Sequence, residues 1–174
     1  EIVEYLADKG ADIDARAFDN RTAISYACAN GSLSIVNFLI ARNASIDLRD
    51  TNGYTPLTYA SKFGHLDIVK LLVEHGASLS VIDKARWSAL TFAVSNNNVD
   101  VAEFLLDNGV KATAQDIFGR TPMTFAAING NVEMGNLLIK YKAEINMKDS
   151  NGKTPLMHAV INKKPEFVKF LIDN

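Results

Sequence analysis

The chain has 174 residues, 48% hydrophobic and 22% charged, an ordinary composition for a folded protein long enough to bury a sizeable core. Its formal charge of −2 offers no general attraction to nucleic acid or to an anionic membrane. One cysteine, Cys28, excludes an intramolecular disulfide framework and fits a reducing compartment, and no apolar run approaches the ~18 residues of a membrane span.

A period of 33 residues organises the chain. Thr22, Thr55, Ser88, Thr121 and Thr154 are spaced by it. So are Leu6, Leu39, Leu72, Leu105, Leu138 and Leu171, without an insertion. Two further series run Gly10, Asn43, Gly76, Gly109, Lys142 and Gly31, Gly64, Asn97, Gly130, Lys163. Four series in register exclude coincidence. They divide residues 1–174, read as a single array, into a partial unit at 1–16, full units at 17–49, 50–82, 83–115 and 116–148, and a partial unit at 149–174.

In chain order, the first full unit carries "TAISYA", with Ala23, like Ala89 in "SALTFA", at the position where the remaining units have proline, and Cys28 on an alanine-like position of its first helix. The second unit shows the tile most clearly. In "YTPLTYA" Thr55 is placed to cap a helix and Pro56 suits the first helical position, where no amide donor is missed. Gly64 ends that helix in the left-handed conformation. "LDIVKLLVEHG" then spaces Leu66, Val69, Leu72 and Val73 as a second helix, ended by Gly76. "ASLSVID" has no helical period and reads as an extended, hairpin-like connection. In the third unit "KARW" places Arg86 where neighbours have Asn or Gly, so the turn before Trp87 is expected to be the least regular. Asn43 and Asn97 tolerate the left-handed region, and Lys142 and Lys163 do so at roughly 1 kcal/mol each. Pro165 is expected to restart the final helix. Two short helices and a turn cannot bury their own apolar face, but stacked copies can, so the expected fold is an all-α, one-dimensional solenoid.

The tile resembles the ankyrin repeat. "TPLTYA", "TPMTFA" and "TPLMHA", in register with "GH" or "GN" and "GA" markers, carry the resemblance over essentially the whole chain. It implies stacked helix-turn-helix units with β-hairpin-like connecting turns. It also implies a protein-interaction module without catalytic activity, whose ligands lie along the concave face of turn tips and first helices.

Candidate contact residues are those whose identity the tile does not dictate. Tyr54, Phe63, Ile82, Trp87, Ile117, Phe118 and Ile128 are apolar at such positions in the middle units, where an inert array would carry polar residues. Their periodicity predicts one strip across three adjacent units, bordered by Arg21, Arg49, Lys62 and Arg120, which could read acidic or carbonyl groups on a partner. Trp87 and Tyr54 are the foremost of these, followed by Phe118. The aromatic row Tyr26, Tyr59, Phe92 and Phe125 recurs at the repeat period and is expected in the core. His65, His75 and His158 make no metal site without further cysteines, and no phosphate loop, paired carboxylates or nucleophile signature is present.

The expectation is therefore a non-catalytic scaffold or adaptor array binding a partner protein, with no cofactor, small-molecule substrate, nucleic acid or membrane insertion. A structural spacer, or an autoregulatory segment contacting another domain of its own parent chain, is the alternative. The chain starts without Met, and "EFVKFLIDN" stops inside a helical pattern, which reads as part of a longer protein. A cytoplasmic or nuclear location is expected. Abundant Asn, Lys and Ile suit an A/T-rich genome, and a secreted effector acting inside a host cell is the corresponding variant.

Overall fold

The computed structural model describes residues 9–174; the beginning of the first partial unit, with Leu6, lies outside the described residues. Ten α-helices follow among these residues: α1 (Ala23–Ala29), α2 (Leu33–Ala41), α3 (Pro56–Phe63), α4 (Leu66–Glu74), α5 (Ala89–Ser95), α6 (Val99–Asp107), α7 (Pro122–Asn129), α8 (Val132–Lys140), α9 (Pro155–Ile161) and α10 (Pro165–Asp173). They form two rows. The odd-numbered helices stack on one another as an inner row, the even-numbered ones as an outer row, and each inner helix also packs on the outer helix that follows it.

The local chemistry of the starts is the expected one. Thr55, Ser88, Thr121 and Thr154 each accept a hydrogen bond from the third backbone amide of the helix they precede. At Ser88 and Thr121 the Thr91 and Thr124 hydroxyls return the contact and close a capping box. Thr22 is different: no helix amide reaches its side chain, and its hydroxyl meets the Ser25 hydroxyl at 3.2 Å. Pro165 opens α10 at its first turn.

At the helix ends, backbone geometry holds where residue type changes. Asn43 and Asn97 adopt φ of 61° and 61°, and Lys142 and Lys163 follow at 62° and 56°, in the same region as the glycines they replace. Arg86 corrects the expectation of an irregular turn. It takes φ 61°, and the Asp83 amide donates to the Trp87 carbonyl at 3.0 Å, as the Asp50 amide does to Tyr54 in the unit before. Closing the turn outweighs the strain of one left-handed arginine, about 1–2 kcal/mol.

The connections are turns joined edge to edge. Thr51, Ile117 and Ser150 donate their amides to the carbonyls of Asp19, Ala85 and Phe118 in the preceding turns. The described residues hold no strand; Ile82 and Ser88 form an isolated antiparallel bridge. Between the rows lie Leu39, Leu72, Leu105 and Leu138, all at most 1% exposed. Ala60, Ala93, Ala126 and Ala159, fully buried, let successive inner helices approach closely. Polar side chains also tie the units together. His65 Nε2 lies 3.2 Å from the Ala29 carbonyl, and Asn98 Nδ2 donates to the Ser61 and Lys62 carbonyls at 2.9 and 3.0 Å. These bonds satisfy carbonyls that a helix end leaves unpaired.

Candidate partner-binding surface

Each turn is organised by an aspartate. Asp50, Asp83, Asp116 and Asp149 are spaced by the repeat period, and the Oδ1 of each accepts the amides two and four residues further on. The second oxygen takes a different partner in different units. Asp50 accepts from the Tyr59 hydroxyl at 2.6 Å, Asp116 from Trp87 Nε1 at 3.2 Å and from Arg120 Nε at 2.8 Å, and Asp149 lies 2.8 Å from His158 Nε2. Sequence reasoning missed these aspartates, although the 33-residue spacing was there to find them. In the first unit Ala17 occupies the register, and Asp19 instead binds the Arg21 guanidinium at 2.5 Å.

Above the turns runs a ladder of rings. The Tyr54 ring packs edge-on to Tyr59, at 5.6 Å between centroids, and to Phe92, at 4.9 Å. Trp87 wedges between Phe92 at 5.0 Å and Phe125 at 4.8 Å. Arg21 lies over Tyr26 at 4.5 Å and Tyr59 at 5.7 Å, and Arg120 over Phe125 at 4.8 Å and Phe118 at 5.0 Å. Arg21, Tyr54 and Trp87, each the residue before a helix cap, thus bridge the inner-helix ring of their own unit to that of the next. Burial raises the hydroxyls of Tyr54 and Tyr59 above the usual tyrosine range, with nearby Asp83 and Asp50 adding to the effect.

The structure brings Tyr54, Trp87, Arg120, Lys62, Phe63 and Phe118 into this one system. Tyr54 and Trp87 are half-buried and packed on the core. Ile128 is half-buried and packed on the core near the end of α7. Phe63 and Phe118 are the open members, each at 51% exposure, and Ile117, next to Phe118 in the chain, is as open at 52%. Ile82 stands apart. It lines a shallow cavity of about 280 Å³ with Leu79, Asn108 and Val110, and its carbonyl accepts from Arg49 Nη2. Arg49 Nε meets the Gly53 carbonyl at 3.3 Å, so the guanidiniums of Arg21, Arg49 and Arg120 each hold at least one acceptor within the chain. Lys62 has its ammonium over the Tyr54, Phe63 and Phe92 rings at 5.6, 5.5 and 6.0 Å.

A sequence model of the family described as ankyrin repeats (3 copies) matches residues 1–50, 24–116 and 90–174. The chain belongs to the ankyrin-repeat family. Among curated proteins, none matches it. Ankyrin repeats are generally protein–protein interaction modules and typically non-enzymatic.

Within the ankyrin register the exposed residues gain meaning. Asn30, Asn96, Asn129 and Asn162 occupy the position of Phe63 in the other units. The amides of Asn96 and Asn162 donate back to the carbonyls of Phe92 and His158, in their own helices. Phe63 gives up that contact and places a ring in solvent. Phe118 stands where Asp19, Asn52, Ala85 and Asn151 stand elsewhere. Phe18, fully exposed and in the register of Ile117, was missed by the sequence reading; only the column alignment points to it.

The buried Cys28 thiol is pushed up to about 12 by desolvation and is no nucleophile at neutral pH. The described residues contain no group of three or more His, Cys, Asp or Glu placed to hold a metal, and no helix long and apolar enough to cross a membrane.

Proposed function

We propose that this array is a non-catalytic recognition module within a larger protein, and that it binds a partner protein across its turn tips and inner helices. The proposed contact surface has Tyr54 and Trp87 as its floor, with Phe63, Ile117, Phe118 and Ile128 rising from it. Lys62 and Arg120 lie at its polar edge. The observation that carries the reading is Phe63. It is a half-exposed aromatic at a position that four other units fill with asparagine, and it lies in the same ring system as a second exposed phenylalanine. Exposed aromatics grouped with cations are where binding energy concentrates at interfaces. Repeat packing requires neither ring.

Phe63→Asn and Phe118→Asn test this, because each installs a residue the array already uses at that register. Capture of a partner from lysate of the source cells by the wild-type array, lost by the double variant at unchanged thermal stability, supports the surface. Equal capture by both proteins moves the interface elsewhere. Capture by neither favours a spacer, or contact with another domain of the same parent chain.

A further inference from the structure

The two rows of helices differ in charge in a way that stacking does not require. The inner helices α1, α3, α5, α7 and α9 contain no aspartate or glutamate. The outer helices carry eight. The turn carboxylates offset this only in part, with Asp83 half-buried. Asp50, Asp116 and Asp149 are buried, and their Oδ1 atoms, like that of Asp83, are turned onto the amides of their own loops. Asp19 is held by Arg21.

The cations on this side are freer. Lys84 and Arg86 are exposed at the turn tip beneath Trp87, and among the described residues neither they nor Lys62 has a carboxylate partner. Lys62 is half-buried among three rings, so a carboxylate reaching it would pair in a partly dry setting, where such a contact strengthens.

From this asymmetry we propose that the partner presents an acidic segment carrying at least one bulky apolar side chain. The inference rests on the recognition surface proposed above and adds the partner's chemistry. The apolar anchor sits against Phe63, the segment runs along the ring ladder toward Phe118 two units on, and the carboxylates fall on Lys62 and on the Lys84–Arg86 tip. Basic segments are turned away, since like charges brought together at an interface are strongly unfavourable.

Selection of random peptides displayed on phage against the whole chain, followed by affinity measurement with a synthetic copy of the most enriched peptide, tests it. Peptides rich in Asp and Glu around an aromatic or leucine are expected. Their affinity should fall by about tenfold in Lys62→Glu and in Lys84→Glu/Arg86→Glu, and should weaken as salt is raised. Lys62→Ser, which installs the residue of Ser95 at the same register, should lose less and keeps the test independent of any folding defect in the reversal. Neutral or basic peptides that still need Phe63 and Phe118 overturn the acidic assignment and leave the recognition surface standing. Enriched peptides indifferent to Phe63→Asn and Phe118→Asn, or no enrichment, overturn both. A poly(dT) oligonucleotide that displaces the peptide and is itself lost with Lys62→Glu assigns the cations to nucleic acid and overturns the inference.

Discussion

Trp87 shows how differently a residue reads alone and in place. In the sequence its column is Arg21, Tyr54, Trp87, Arg120, Lys153, a mixture of cations and aromatics, and so it looks uncommitted. In the fold its ring is held between Phe92 and Phe125 and its Nε1 donates to buried Asp116. No periodicity reveals this, because one neighbour belongs to the unit's own helix and the other to the next unit. Two aromatic pairs and a hydrogen bond are at stake, and Trp87→Ala is expected to lower unfolding stability by about 2–3 kcal/mol. Phe63→Asn, at a half-open position, should stay within about 0.5 kcal/mol of wild type. Urea unfolding followed by circular dichroism separates the two. A Trp87→Ala array as stable as wild type would show that the ladder adds nothing to stacking. The expected outcome makes Trp87→Ala a poor probe of partner binding, since it weakens the scaffold as well as the surface.

Among the elements, the helix boundaries were legible because each is fixed by one residue's chemistry: Thr55 as cap, Pro56 at the first position, Gly64 in the left-handed region. The turns were less so, because an aspartate reads as ordinary surface until its acceptors are traced. Asp149 gives a pH prediction. Burial would raise its carboxyl, but the Lys153 amide, the His158 ring and the Asn151 amide together hold it below the ordinary aspartate value. The unfolded chain therefore takes up this proton at higher pH than the fold does. The stabilisation is complete above the ordinary aspartate pKa, near ~3.9, and is lost as pH falls through that value toward the lower folded one. Asp149→Asn should be less stable than wild type at neutral pH, with the two converging below about pH 4 in acid-unfolding curves; parallel curves would refute this. Gly135, inside α8, concerns packing instead. A Cβ there would stand 2.6 Å from Phe170 Cε1 and 2.9 Å from Phe167 Cε2, where Ala102 and Val69 sit at the same register. Alanine would gain about 1 kcal/mol of helix propensity, but overpacking costs about 1–3. Because both rings are buried, the overpacking wins, and Gly135→Ala should destabilise. Adding Phe167→Ile, the residue of Ile68, should recover more than the single changes predict by about 1 kcal/mol, measured as a double-mutant cycle.

For the whole molecule, the sequence determined the stacking but concealed how unequal its members are. Cys28, Ser61, Val94, Ala127 and Val160 share one register. The first four are fully buried beneath the next inner helix, while Val160 is 58% exposed, with Met157 and Ile161 beside it at 50% and 57%. The period repeats the same face in every unit, whether or not a neighbour covers it, so the pattern alone does not distinguish a covered face from a bare one. In a one-dimensional array each unit is stabilised only by those next to it, and the same substitution should therefore have opposite consequences at two positions of this column. Val94→Lys would bury a charge with no partner between α5 and α7, and should cost about 3 kcal/mol or more or abolish folding. Val160→Lys leaves its ammonium in water and should cost within about 0.5 kcal/mol. By shrinking the apolar patch, it should also reduce self-association seen in sedimentation at high protein concentration. If Val160→Lys unfolded the chain as Val94→Lys does, the last helix pair would have to be covered on that face, by a second copy or by its own rearrangement. An unchanged midpoint would leave α9 and α10 held only through α7 and α8, the arrangement the structure shows.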